Sequence, residues 1–169
     1  MAIKIQSLDL TQPRCQILIE NLEDCRLFAE MVAKYVTTPL AIALSGTLGA
    51  GKTQWTRFFA ASLGALPASI TSPTFMLVHE YDCRPAVFHL DAYRIGDEDE
   101  LLELGIEEML DSDAITIVEW ADRFPNVMPR NTLIVHLEVG ESQESRLADL
   151  QVTGERAKSI LTKLIADWS

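Results

Sequence analysis

Gly46-Thr47-Leu48-Gly49-Ala50-Gly51-Lys52-Thr53 matches G-x-x-x-x-G-K-[ST] at every fixed position. The short apolar run Leu40 to Ser45 (LAIALS) leads into it and reads as a strand covered on both faces of a parallel sheet. From Thr53 onward Trp55, Phe58, Phe59, Ser62 and Leu63 fall on one helical stripe, and Gly64 stands where a C-terminal cap belongs. Strand, glycine-rich turn and helix together are the context in which this motif holds phosphate. Its glycines let the backbone curl so that successive N–H groups face phosphate oxygens, and the positive end of the helix faces the same charge. Lys52 is expected to reach the terminal phosphates, and Thr53 to place its hydroxyl on Mg²⁺.

Working outward, Leu22, Cys25, Ala29, Val32 and Val36 recur at steps of three and four, predicting a helix over Glu23 to Tyr35 that stops before Pro39. Met76 to Tyr81 and Ala86 to Leu90, separated by Asp82-Cys83-Arg84-Pro85, predict a hairpin. Asp97 to Glu100 crowd the start of a helix carrying Leu101, Leu102, Ile106 and Met109. The dipole favours acids there, so a solvated first turn is preferred over a docking surface. Ala114 to Val118 (AITIV) is a second buried strand ending on Glu119. Thr132 to Val139 alternates, with Leu133, Val135, Leu137 and Val139 on one face; Leu147 to Thr153 reads as its antiparallel neighbour, and Ala157 to Trp168 as a closing amphipathic helix. This order predicts α/β architecture with a mixed sheet.

A triphosphate-binding loop needs a second metal anchor, usually an acid ending a neighbouring buried strand, at the sheet edge where ligands bind in open α/β folds. Glu119 fits that description. Asp91, after Phe88-His89-Leu90, is the second candidate, to orient or deprotonate the attacking water or to hold it through the metal; spacing does not divide the two roles. Trp120 either covers the nucleotide site or belongs to the core. His89 shares a strand face with Asp91 and stays outside the catalytic set, a backbone-bonded structural histidine being the simpler reading. Ser72-Pro73-Thr74-Phe75 is either a phosphate-sensing segment or an ordinary turn.

The 169 residues, 48% of them apolar, suffice for one core, so a single domain over residues 1–169 is expected. No apolar run approaches the ~20 residues that cross a bilayer, and Met1 to Pro13 lacks the features of an export signal, so the cytoplasm is the expected compartment. Cys15, Cys25 and Cys83 form no CxxC pair and read as buried thiols, neither a disulfide framework nor a zinc site. A net charge of −11 repels a phosphate backbone, so work on RNA would pass through a basic protein partner. Asn-Lys-x-Asp and Asp-x-x-Gly are both absent, which favours ATP over GTP; nine scattered Arg give no local lid of the kind a small-molecule kinase uses, although distant arginines can converge.

The phosphate loop, then Ser72-Pro73-Thr74-Phe75, His89-Leu90-Asp91-Ala92-Tyr93-Arg94, Leu104-Gly105-Ile106 and Val118-Glu119-Trp120, in that order and across most of the chain, resemble the bacterial TsaE proteins, ATPases of tRNA threonylcarbamoyladenosine biosynthesis. The resemblance implies a P-loop NTPase-like three-layer fold, with parallel core strands, added antiparallel strands and helices on both faces. It further implies ATP and Mg²⁺ binding, low intrinsic hydrolysis, and work with TsaB-like and TsaD-like partners. Those partners transfer the threonylcarbamoyl group to the adenosine beside the anticodon of ANN-decoding tRNAs, while the TsaE-like subunit hydrolyses ATP to drive or reset them. By position, Lys52 and the backbone of Thr47, Gly49, Ala50, Gly51 and Thr53 would hold phosphates, Thr53 and Glu119 would ligate Mg²⁺, Asp91 would support hydrolysis, and Trp120 and Tyr93 would line the site or partner face. Gln54 stands where many relatives have a second Thr, and Asp24-Cys25 where relatives often show a Thr near the base. A small-molecule kinase and an ATP-dependent scaffold with incidental hydrolysis are the competing readings.

Overall fold

Leu40–Gly46 (β3) is buried at all seven positions, and the rest of the molecule is arranged around it. The computed structural model describes residues 4–9, 14–66 and 77–168. Eight strands form one sheet in the order β1-β2-β8-β7-β3-β6-β5-β4. The other strands are β1 (Lys4–Asp9), β2 (Arg14–Ile19), β4 (Val78–Tyr81), β5 (Val87–Asp91), β6 (Ile115–Glu119), β7 (Thr132–Val139) and β8 (Arg146–Thr153). The central four, β7, β3, β6 and β5, run parallel, and the strands flanking them pair antiparallel.

Alternate residues of the central strands enter different cores. Leu40, Ile42 and Leu44 face the cluster formed with α1 (Leu22–Tyr35), α2 (Lys52–Ser62) and α5 (Gly154–Trp168), whereas Ala43 faces the cluster of α3 (Glu98–Glu103) and α4 (Ile106–Asp111). Helices therefore cover both faces. The same alternation puts Ile115 and Ile117 of β6, and Val87 of β5, on the α2 side, so Glu119, His89 and Asp91 share that side. Parallel register sets Asp91 beside Glu119 at the strand ends. Alternation and parallel register together thus bring both acids to the edge where α2 begins.

Four sequence expectations change. Of the three cysteines only Cys15 is buried, pointing inward from β2, while Cys25 on α1 and Cys83 in the turn after β4 are half-buried. Strands β1 and β2 were not anticipated; Cys15, Ile17 and Ile19 alternate inward as β2 pairs with β8. The single helix expected after Asp97 is two short ones, because Gly105 takes a left-handed φ of +78° between them. Val139 leaves the core face and lies exposed at the end of the β7–β8 hairpin, opposite Arg146. Two of the acids in Asp97 to Glu100 cap the helix start: Asp97 accepts the Glu100 amide at 2.9 Å and Glu100 accepts the Gly96 amide at 2.7 Å, while Glu98 accepts from the Asn126 side chain. Ser72 to Phe75 and Met76 lie outside the described residues.

Candidate active site

Gly46 ends β3 with φ +128°, and a side chain there would collide with the backbone carbonyl of Leu137 on β7. Gly49 and Gly51 also take positive φ, +80° and +101°, so the loop turns at the positions where Cβ is absent. Gly51 is the N-cap of α2 and supplies no side-chain cap, which leaves the first N–H groups of an 11-residue helix without that partner. The Gly49 and Ala50 carbonyls accept from Arg146 at 3.1 and 3.0 Å. Carbonyls turned to that guanidinium are not turned toward an anion. Arg146 was missed in the sequence, lying 97 residues from Gly49.

Lys52 is only 5% exposed. Its ammonium donates to the Gly46 and Thr47 carbonyls at 2.8 and 2.9 Å and lies 3.9 Å from the centroid of the Trp120 ring. Burial pushes its pKa below the ordinary lysine value, with Glu119, Asp91 and Asp122 pulling the other way. Thr53 Oγ1 donates to Glu119 Oε2 at 3.1 Å. Glu119 is 2% exposed, and its other oxygen meets His89 Nε2 at 2.7 Å, while His89 Nδ1 meets the Tyr81 hydroxyl at 3.2 Å. Both ring nitrogens of His89 therefore go to side chains, correcting the expectation of a backbone-bonded histidine. Asp91 Oδ1 accepts the Tyr93 amide at 3.0 Å.

Trp120 has φ +63°, the one non-glycine residue at positive φ among the described residues. It belongs to both alternatives raised by the sequence, packing against the α3–α4 core and lying 5.0 Å from the Tyr93 ring over the loop lysine. Arg123, three residues on, donates to the carbonyls of Ala92, Tyr93 and Ile95 at 2.8–2.9 Å and ties the segment after Asp91 to the turn after Glu119.

A pocket of ≈ 520 Å³ collects Gly49, Gly51, Lys52, Thr53, Asp91, Glu119 and Trp120, with Tyr93, Arg57 and Arg94 also on its wall. A neighbouring pocket of ≈ 490 Å³ shares Gly51 and Gln54 with it and is walled by Ile19, Leu22, Cys25, Ala50 and Arg146. Thr47 contributes its carbonyl to Lys52 and lines neither pocket. The adjoining hydroxyl and carboxylate of Thr53 and Glu119 are hard oxygen donors and fit a hard divalent cation that takes one or two protein ligands.

Residues 19–148 match the family model for the threonylcarbamoyl adenosine biosynthesis protein TsaE. The chain belongs to the TsaE family. It is a tRNA threonylcarbamoyladenosine biosynthesis protein by that membership. It is 31% identical to the TsaE of Bacillus subtilis over 145 residues, 85% of this chain and 89% of that one. To the TsaE of Haemophilus influenzae it is 34% identical over 113 residues, 66% of this chain and 71% of that one. The crystal structure of Bacillus subtilis YdiB superposes with a TM-score of 0.77 at 25% identity, covering 94% of this chain and 98% of that chain. Among its described residues the chain has no helix long and apolar enough to cross a membrane.

Proposed function

We propose that the chain is a single-domain, cytoplasmic P-loop ATPase. It binds ATP with Mg²⁺ between Lys52, Thr53, Asp91, Glu119 and Trp120, and hydrolyses it slowly when alone. Turnover drives or resets TsaB-like and TsaD-like partners, through which tRNA is reached. The observation that carries the reading is the 3.1 Å contact of the Thr53 hydroxyl with Glu119 Oε2, at the first turn of α2 and next to Lys52.

Each side chain has work that follows from its surroundings. Lys52 rests on two neutral carbonyls, and exchanging these for phosphate oxygens sets an opposite charge against its ammonium, adding ion pairing to the hydrogen bonds. Bound Mg²⁺ supplies neutralisation of charge on the terminal phosphates. Thr53 and Glu119 Oε2 would hold it. Asp91, fixed through the Tyr93 amide, is the remaining acid on the pocket wall and is assigned to the attacking water, to orient it or accept its proton. Trp120, with the Tyr93 ring 5.0 Å from its own, covers the Lys52 ammonium. The apolar wall of Ile19, Leu22 and Cys25 beside Arg146 suits the base, where Cys25 offers no hydroxyl.

Lys52→Ala is expected to weaken ATP binding by about 1.5–3 kcal/mol, the value of a hydrogen bond to a charged group. Titration with a fluorescent ATP analogue measures this, and unchanged affinity would contradict the assignment. A small-molecule kinase gains one point of support, because Arg57 and Arg94, 37 positions apart in sequence, converge on the pocket. That reading requires phosphate transfer to a small acceptor without partners, and the proposal expects none.

A further inference from the structure

His89 and Tyr81 are fully buried behind the phosphate loop, beyond the residues that the pocket exposes. A carboxylate as enclosed as Glu119 is costly unless its oxygens are satisfied. Oε2 receives the Thr53 hydroxyl at 3.1 Å and Oε1 the His89 ring at 2.7 Å. An ionised carboxylate only accepts, so Nε2 carries the hydrogen. In the neutral imidazole Nδ1 is then an acceptor, and the Tyr81 hydroxyl, 3.2 Å away, donates to it. The Tyr81 and His89 rings lie within 19° of parallel, and His79 packs on Tyr81 with centroids 4.6 Å apart, so the donor end of the chain is held by packing as well.

We propose that His89, held by Tyr81, is a positioning residue that fixes Oε1 of Glu119 so that Oε2 is presented to the cation beside Thr53. The order Tyr81 to His89 to Glu119 does for a carboxylate ligand what an outer hydrogen-bond partner does for a ligating histidine: it sets the orientation and leaves one atom to the metal. Three strands contribute, β4, β5 and β6, and their register makes the chain possible, since His89 lies beside Ile117, one pleat below Glu119. Arg57, on α2 and facing this cluster, lines the pocket and adds positive charge near Tyr81 without entering the chain. The inference rests on the reading that Glu119 holds the cation.

The test is the gain in ATP affinity on adding Mg²⁺, measured with a fluorescent ATP analogue in EDTA and in Mg²⁺. His89→Leu is expected to cut that gain about tenfold, at the low end of the 10–100-fold cost of losing an outer partner, while affinity in EDTA stays within about twofold. His89→Gln, whose amide nitrogen can stand where Nε2 stood, is expected to recover most of the gain. Tyr81→Phe keeps the ring and the packing, so it carries the test should the leucine variant not fold; its loss is expected to lie between wild type and His89→Leu. A Mg²⁺ gain unchanged in both His89→Leu and Tyr81→Phe, or affinity falling equally in EDTA and Mg²⁺, overturns the proposal. Glu119→Gln separates the layers. If it abolishes the gain while the His89 and Tyr81 variants do not alter it, the positioning role alone fails; if it also leaves the gain intact, the cation assignment fails and the positioning role with it.

Discussion

Lys52 carries its charge in a nearly closed place, and that has a consequence for stability without nucleotide. Its folded pKa lies below the ordinary 10.5 because burial disfavours the ammonium. Between the folded and unfolded values the unfolded chain binds more protons, so stability rises with pH through that window. Lys52→Met removes this dependence. Its stability relative to wild type should be most favourable on the acid side of the window and decline toward pH 10.5, as read by urea denaturation of the nucleotide-free proteins; a flat difference would contradict the burial cost. Lys52, Thr53, Glu119 and Asp91 were legible because each sits at a fixed place in a local pattern, the loop motif or the end of an apolar strand. Arg146 and Tyr81 were not. Their site partners lie 97 and 8 residues away, and only sheet pairing brings them together.

The elements that hold the site are tied by one aromatic cluster. Phe28 of α1 packs against Trp55 of α2 with centroids 5.6 Å apart, and Trp55 stacks on Phe59 at 5.2 Å. Phe28→Ala leaves a cavity beneath the helix that starts at Lys52 and should destabilise the fold by about 3–5 kcal/mol in chemical denaturation; a loss under 1 kcal/mol would mean that α2 is anchored elsewhere. Helix α1 was readable from unbroken periodicity and strand β3 from its continuous apolar run. Strand β2 carries the alternation Cys15, Ile17, Ile19, but the alternate residues Gln16 and Leu18 mix polar with apolar, as suits a half-buried sheet face. The break at Gly105 depends on a backbone angle, which a hydrophobic pattern reports poorly.

At the scale of the molecule, parallel strands at the centre deliver two acids and a phosphate loop to one edge, and antiparallel strands extend the sheet on both sides. The order of segments announced this mixed sheet, whereas the pairing of β8 with β2 did not follow from it. A net charge of −11 opposes a phosphate backbone at every ionic strength where charge is felt. The chain alone should not retard tRNA in a gel-shift assay at physiological salt, and retardation without partners would contradict indirect contact.

The pocket is proposed to turn over ATP on behalf of a tRNA-modifying complex. The most direct measurement is multiple-turnover formation of threonylcarbamoyladenosine with TsaB-like and TsaD-like partners, comparing the wild-type chain with Asp91→Ala after both are shown to bind ATP. The variant is expected to bind nucleotide yet fail to sustain repeated cycles. Repeated cycles at the wild-type rate would contradict it and leave an ATP-dependent scaffold as the better description.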